Sequence, residues 1–301
     1  MYEKGKLMFI FAETPLHPGA GSGYGGIDLP IQREKFTDLP ILASSGIKGA
    51  LRDFFEKKGT CKEKIFTVFG PDEKSASENA GALSTMEGRL FLFPVRSLKG
   101  VFAYLTCPLI LKRFRDDLES LMSLGWSMDQ DLIPKIDKLL REPIGDEQVL
   151  ITEPSKLVAP ENKVVLEEFA FNSRGFTTDL TEFAKILAGL LPFTYNLEER
   201  LAIVSDNTMA DFVLFSTEVF TRNRIDDDKG TVAKGALWTE EYLPRDTLLY
   251  SLLFASKPHR EHDDIQRAEN VLEFIEKGKP TFLWLGGDTT VGKGLARLVL
   301  L

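Results

Sequence analysis

The stretch His17-Pro18-Gly19-Ala20-Gly21-Ser22-Gly23-Tyr24-Gly25-Gly26-Ile27-Asp28-Leu29-Pro30-Ile31-Gln32-Arg33-Glu34, followed by Ser44-Ser45-Gly46-Ile47-Lys48-Gly49-Ala50-Leu51-Arg52, decides how this chain reads. An apolar strand runs into a glycine loop that holds one histidine and one aspartate among uncharged residues. A second small-residue turn then opens a basic helix. Glycine lets a backbone approach a ligand closely, and N–H groups at turns and helix starts attract anions. Asp28 lacks an obvious local ion-pair partner. The segment therefore reads as a phosphate-binding surface beside a reactive carboxylate. A turn histidine and an Asx-turn acceptor are the plainer alternatives for His17 and Asp28. The density of glycine around them weighs against both.

Outward from this segment, Leu7, Met8, Phe9, Ile10 and Phe11 predict a buried strand over 5–13. Residues 14–43 read as a long ordered loop, a length that is usually functional. A helix is expected over 45–58, with Leu51, Phe54 and Phe55 inward and Ser44 or Ser45 as N-cap. Residues 59–81 read as irregular. Consecutive strands follow over 88–95 and 101–107, then mixed helix over 109–142 interrupted at Pro134. Short strands are expected over 149–152, 164–170 and 212–215, and a helix over 178–191 closed by Pro192. The polar stretch 220–247 suggests a projecting hairpin. A strand over 248–254, a helix over 264–277 and strands over 281–285 and 295–300 complete the chain. Stripped of insertions, the order is β-α-β-β-α-β. This predicts an α+β fold: a ferredoxin-like (RNA-recognition-motif-like) core with large insertions, in a single domain over 1–301.

The 301 residues are 43% hydrophobic, with no apolar run approaching the ~20 residues of a membrane span. The N-terminus passes into a strand without a targeting signature. Cys61 and Cys107 are far apart and form no C-x-x-C pair, so a reducing, cytoplasmic setting is expected. The formal net charge of −8 counts against coating by nucleic acid through bulk charge. Local placement still allows RNA binding, because Arg33, Lys35, Lys48, Arg52, Lys57 and Lys58 lie close in sequence. The acid gathers elsewhere, at Asp226-Asp227-Asp228 and at Glu261, Asp263 and Asp264.

Three motifs are tested by their context. Gly287-Asp288-Thr289-Thr290-Val291-Gly292-Lys293-Gly294 nearly matches a P-loop, but Gly294 stands where Ser or Thr would hold magnesium. A hairpin loop and a backbone cradle for phosphate both remain; Thr289, Thr290 and Lys293, as added donors, favour the cradle. Gly21-Ser22-Gly23-Tyr24-Gly25-Gly26 fits G-x-G-x-x-G, yet Pro30 blocks the helix that a dinucleotide fold requires. His259-Arg260-Glu261-His262-Asp263-Asp264 lacks zincin order and reads as a solvated helix start. Lys48 and Arg52, four apart, share a helix face. They are candidates for phosphate contact, with an Arg52–Glu56 pair as the alternative.

The first block and Gly286-Gly287-Asp288-Thr289-Thr290-Val291-Gly292-Lys293-Gly294 together resemble the RAMP superfamily of CRISPR proteins. So does Gly235-Ala236-Leu237-Trp238-Thr239-Glu240-Glu241-Tyr242-Leu243-Pro244. More narrowly, the chain is similar to the backbone subunits of type III-B Cmr effector complexes. The resemblance implies a repeated subunit that stacks with other copies of itself in a helical filament along a CRISPR guide RNA, beside other Cmr complex subunits. It implies an RNA-recognition-like palm and a thumb hairpin at about 217–247 that displaces base pairs of the guide–target duplex. It further implies an endoribonuclease that cuts the complementary single-stranded target RNA at regular intervals within the assembled complex, with a divalent cation (Mg or Mn). An RNA-binding filament scaffold without catalysis is the alternative, and a small-molecule phosphotransferase is a more distant one.

By the same resemblance the essential acid is Asp28, as metal ligand or proton acceptor, with His17, Glu240 and Tyr242 as further catalytic candidates. Candidate RNA contacts are Ser45, Lys48, Arg52, Gly286, Gly287, Thr289, Gly292 and Lys293, with Arg222 and Arg224 at the base of the hairpin.

Overall fold

The computed structural model describes every residue except 24, 72–79, 129–131, 227 and 261, and the side chain of Lys234. Tyr24 of the glycine loop, Asp227 and Glu261 therefore lie outside the described residues. In chain order the elements are β1 (Lys4–Ala12), β2 (Ile41–Leu42), α1 (Ser44–Lys57), α2 (Lys62–Phe69), β3 (Leu83–Thr85), β4 (Gly88–Ser97), β5 (Val101–Thr106) and α3 (Pro108–Ser123). They continue with α4 (Leu132–Leu139), β6 (Gln148–Ile151), β7 (Val158–Ala159), β8 (Lys163–Leu166), β9 (Phe169–Phe176), α5 (Thr178–Leu190), α6 (Leu197–Arg200), β10 (Leu201–Ile203) and α7 (Asp206–Phe215). The last are β11 (Glu218–Ile225), β12 (Val232–Tyr242), β13 (Leu248–Ala255), α8 (Ala268–Gly278), β14 (Phe282–Trp284) and β15 (Leu295–Leu300).

Strand β1 is buried without interruption from Leu7 to Ala12. Successive side chains of a strand point to opposite faces, so both faces are covered. On the Phe9 face, Phe114 of α3 meets Phe9 and Phe91 with ring centroids 5.9 and 4.4 Å apart. Strand β1 lies between β13 and β15, antiparallel to both, with Phe9 opposite Tyr250 and Val299. Strand β4 adds to β13, also antiparallel. Helix α1 connects β1 with β4 in sequence and α8 connects β13 with β15. The two helices pack together through Phe55 and Phe274, stacked at 4.5 Å. Beyond this part the sheet continues through β5, β10, β6, β9 and β8, and pairing of Ser97 with Leu166 returns β8 to β4. The fold is mixed α+β, with a barrel-like closure on one side.

Strands β11 and β12 pair as a two-stranded sheet apart from the main one. The ladder runs from Glu218–Tyr242 at the base to Ile225–Val232, with its register shifted after Asn223. Val219, Phe220, Ile225, Val232 and Leu237 are exposed on this hairpin.

Several local expectations are corrected. Residues 62–69 form a helix, because Ile65, Val68 and Phe69 are spaced to share one buried face. Residues 212–215 end helix α7 rather than forming a strand. The Ser205 side chain caps that helix by accepting the Thr208 amide, and Met209, Phe212 and Val213 are its buried stripe. The stretch 164–170, expected as one strand, is the end of β8 and the start of β9, which pair across a turn with Glu167 at φ +48°. Pro134 sits in the first turn of α4, where proline is tolerated; the preceding helix ends instead at Leu124. Helix α1 is capped by Ala43, not by a serine: the Ala43 carbonyl accepts the Gly46 and Ile47 amides, so Ser44 and Ser45 are already inside the first turn. Helix α8 starts only at Ala268, so the His259–Asp264 stretch is not a helix start.

Candidate active site

Strand β12 has β11 along one edge. Its other edge collects the segments that the sequence singles out. In order along it, the Thr239 amide donates to Asp28 Oδ2 at 2.8 Å and the Thr239 carbonyl accepts the Leu29 amide at 3.0 Å. The Glu241 amide donates to the Leu29 carbonyl at 3.0 Å, and the Glu241 carbonyl accepts from His17 Nδ1 at 2.7 Å. Leu243 and Leu16 then exchange both backbone bonds. Asp28 and His17 are thus anchored two residues apart on one strand, about 7 Å along it.

Asp28 is exposed at the surface. Its Oδ2 also accepts the Thr239 hydroxyl at 2.9 Å, while its own amide donates to that hydroxyl oxygen at 3.0 Å. The Thr239 amide first, and then the hydroxyl, hold the carboxyl below its usual range. One carboxylate oxygen is pinned and ionised; Oδ1 has no partner among the described residues. The His17 ring is buried. A ring nitrogen at 2.7 Å from a carbonyl carries the proton, so the neutral ring keeps Nε2 as its acceptor. A Cβ on Gly19 would stand 2.9 Å from Nε2, so this glycine keeps that nitrogen uncovered.

Glu240 and Tyr242 point to the opposite face of β12 from Thr239 and Glu241, and both are buried. Glu240 accepts from Trp238 Nε1 at 2.7 Å, from Arg222 Nε at 2.9 Å and from the Tyr242 hydroxyl. Arg222 Nη2 also donates to the Tyr242 oxygen at 2.9 Å, and that hydroxyl lies 2.8 Å from Asp288 Oδ2 in the C-terminal glycine loop. Burial alone would raise the Glu240 carboxyl, but the Tyr242, Trp238 and Arg222 donors outweigh it and the net shift is downward. Burial, joined by the Glu240 and Asp288 carboxylates, pushes the Tyr242 phenol upward. Lys293 Nζ lies over the Phe220 and Tyr242 rings at 4.4 and 5.1 Å from their centroids. The hairpin base and the last glycine loop are one clasp.

The glycine loop after β14 is exposed at Gly286, Gly287, Thr289 and Gly292. Three of its amides are engaged within the chain: those of Gly287, Gly292 and Gly294 donate to the His17, Thr289 and Pro15 carbonyls. Gly286, at φ +83°, is required by contact, since a Cβ there would overlap the His17 carbonyl. Gly286 and Gly287, with His17, Gly19, Gln32, Ala43 and Gly46, line a cleft of about 320 Å³.

Ser45 is exposed at the α1 start, and Lys48, half-buried, makes no ion pair among the described residues. Burial first, and Arg52 second, lower its ammonium pKa. Arg52, expected to face phosphate beside it, is instead turned to the chain. It donates to Glu56 at 2.7 Å and to the Gly70 and Pro71 carbonyls at 3.0 and 3.3 Å. Arg222 is likewise engaged, whereas Arg224 is exposed on the hairpin. Arg33, counted from the sequence among the cations available to RNA, is paired internally with Glu241; Thr239, Glu241 and Asp288 carry no sequence expectation of their own, although Thr239 and Glu241 flank Glu240 and period-two alternation signals that they share a face. Among the described residues no group of three or more His, Cys, Asp or Glu side chains is arranged to hold a metal ion. No helix among them is long and apolar enough to cross a membrane.

A RAMP superfamily model matches residues 10–297. The chain is 37% identical over 302 residues, 99% of its length and 96% of the relative's, to the CRISPR system Cmr endoribonuclease Cmr4 of Pyrococcus furiosus. It is similar to the crystal structure of oligomeric Cmr4 from the same organism, with a TM-score of 0.71 at 30% identity, covering 99% of this chain and 97% of that one. A chain in the cryo-EM structure of the type III-B Cmr-beta complex bound to cognate target RNA aligns with a TM-score of 0.79 at 27% identity, covering 99% and 98%.

Proposed function

This chain belongs to the RAMP superfamily, and from that premise we propose that it is the repeated backbone subunit of a type III-B CRISPR complex, which binds guide RNA and cuts the complementary target RNA. The observation that carries the reading is the edge of β12, where an exposed, ionised Asp28 and a tautomer-fixed His17 are held from positions 211 and 224 residues away. Copies of the subunit in a filament along the guide, and other Cmr subunits, are its partners. The strand order β15-β1-β13-β4, with α1 and α8 as the two crossovers, supports reading this part as a ferredoxin-like palm within one domain, and the β11–β12 hairpin as its thumb.

RNA carries its own nucleophile, the 2′-OH beside each phosphate. In a regular A-form strand that oxygen is out of line with the leaving 5′-oxygen, and displacing a base aligns them. Alignment alone removes much of the barrier. The 2′-oxygen forms a bond to phosphorus, the 5′-oxygen leaves with a proton, and the upstream product ends in a cyclic phosphate. His17 Nε2 is the atom on this chain suited to moving a proton. Asp28 orients the linkage through its open oxygen. Lys48 and the α1 start offer charge to the phosphates. Glu240 and Tyr242, buried and mutually bonded, act by holding the hairpin base against the loop of Asp288.

A divalent cation, Mg or Mn, would find one ligand in this chain, Asp28 Oδ1. A hard cation that keeps its waters and takes phosphate oxygens is compatible with that sparse set, and would neutralise phosphate charge.

The test is Asp28→Ala in a reconstituted guide-loaded complex. Target binding is expected to persist and cutting to disappear. Unchanged cutting would reduce the subunit to an RNA-binding scaffold.

A further inference from the structure

Glu241 is nearly inaccessible, yet five of its backbone and side-chain bonds run to the site. Its carbonyl accepts His17 Nδ1 and its amide holds Leu29. Its carboxylate accepts the Ile31 amide at 3.0 Å on Oε2, and on Oε1 the Arg33 guanidinium at 2.5 Å and the Thr217 hydroxyl at 2.8 Å. Arg33 Nη2 also donates to the Val213 carbonyl at 2.8 Å, and Nη1 to the Asp38 carbonyl at 2.8 Å. Thr217 and Val213 bracket the end of α7 and the start of β11. The carboxylate therefore joins the segment after Asp28 to the root of the hairpin.

We infer that Glu241, paired with Arg33, is a positioning residue for RNA cleavage: its carboxylate sets the 28–33 segment in register on the hairpin root, so that Asp28 and His17 are presented together. The inference rests on the nuclease reading above. Glu241 touches no exposed surface, so its effect passes through the Ile31 amide and the Arg33 guanidinium. A charge pair this deep is a poor source of net stability, because desolvation offsets the attraction, but removing one partner strands the other. Its value lies in register: two carboxylate oxygens met by donors from two segments admit one alignment of those segments.

The test uses complexes assembled on guide RNA from wild-type, Glu241→Gln, Arg33→Met, the double variant and Asp28→Ala subunits, with target cleavage followed at varied target concentration. Glu241→Gln strands Arg33 and is expected to lower kcat about tenfold or more, with KM for target RNA within about twofold. In the double variant the side-chain amide oxygen introduced at position 241 can still accept the Ile31 amide and no buried guanidinium is left unpaired, so part of kcat returns. A buried pair that only adds stability would recover in the same way, so the readout that marks positioning is the fall in kcat at nearly constant KM. The inference is overturned if kcat of Glu241→Gln stays within about twofold of wild type while Asp28→Ala is inactive. It is equally overturned if KM and kcat worsen together and the double variant is worse than both singles. Cleavage by Asp28→Ala at the wild-type rate would instead refute the nuclease reading itself.

Discussion

Thr239 and Asp28 grip each other through three hydrogen bonds. The Thr239 amide and hydroxyl both donate to Asp28 Oδ2, at 2.8 and 2.9 Å, and the Asp28 amide donates to the same hydroxyl oxygen at 3.0 Å. An exposed side chain on a glycine-rich loop would otherwise sample several rotamers. Here the hairpin strand selects one. Thr239→Val keeps the amide and loses the hydroxyl. Target cleavage in the assembled complex should fall roughly 10-fold to 100-fold, with target affinity unchanged. Thr239→Ser, which restores the oxygen, should cleave at close to the wild-type rate.

Tyr242→Phe removes the hydroxyl that lies between Glu240 and Asp288, which takes one proton from the two carboxylates and leaves Arg222 Nη2 without its acceptor. Unfolding in denaturant should show a loss of about 1–3 kcal/mol. Asp288→Asn should lose less, since an amide oxygen still accepts the phenol.

The same clasp sets a window of pH. Glu240 has its carboxyl lowered in the fold, so its contribution is present above the ordinary glutamate range and is lost as pH falls through the lowered value. Tyr242 is shifted the other way: its contribution is complete below the ordinary tyrosine range, near pH ~10, and is lost above it. Stability measured by thermal unfolding should therefore decline below about pH 4 and above about pH 10. Glu240→Gln should flatten the acid side, and Tyr242→Phe the alkaline side.

Two glycines of the last loop separate conformation from contact. Gly292 has φ +79° with open space around it, whereas Gly286 has φ +83° and the His17 carbonyl where a Cβ would go. Gly292→Ala should cost about 1–2 kcal/mol, the left-handed penalty alone. Gly286→Ala should cost roughly 2–5 kcal/mol, because the His17 backbone must also move. Denaturant midpoints of the two variants check the difference.

Lys48 and Arg52 share a helix face but not a role. Lys48→Ala should reduce the salt dependence of RNA binding by about one unit of slope for each subunit engaged. Arg52→Ala should leave that slope nearly unchanged and cost about 1–3 kcal/mol of stability, through lost charged bonds to the Gly70 and Pro71 carbonyls. Binding isotherms at several salt concentrations, set beside denaturant unfolding, distinguish the two.

By itself the sequence determined whatever depends on neighbours in the chain. The unbroken apolar run of β1, the period of α1 and α5, the consecutive strands β4 and β5 and the β11–β12 hairpin are set by side-chain spacing and local sterics. The glycine blocks and the Glu240–Tyr242 block carried the resemblance to the superfamily. Where the local signal was double-valued it misled: Phe212 to Phe215 suit a strand until Ser205 caps a helix seven residues earlier. Only the tertiary structure decided which donors face solvent. Arg52 and the amides of Gly287, Gly292 and Gly294 have the chemistry of phosphate ligands, yet the packed chain uses them internally, where carbonyls take up these donors. Only the tertiary structure, too, brought Thr239 and Glu241 to Asp28 and His17. That meeting depends on which edge of β12 stays open and in what register, a property of strand pairing across more than two hundred residues that no local window contains.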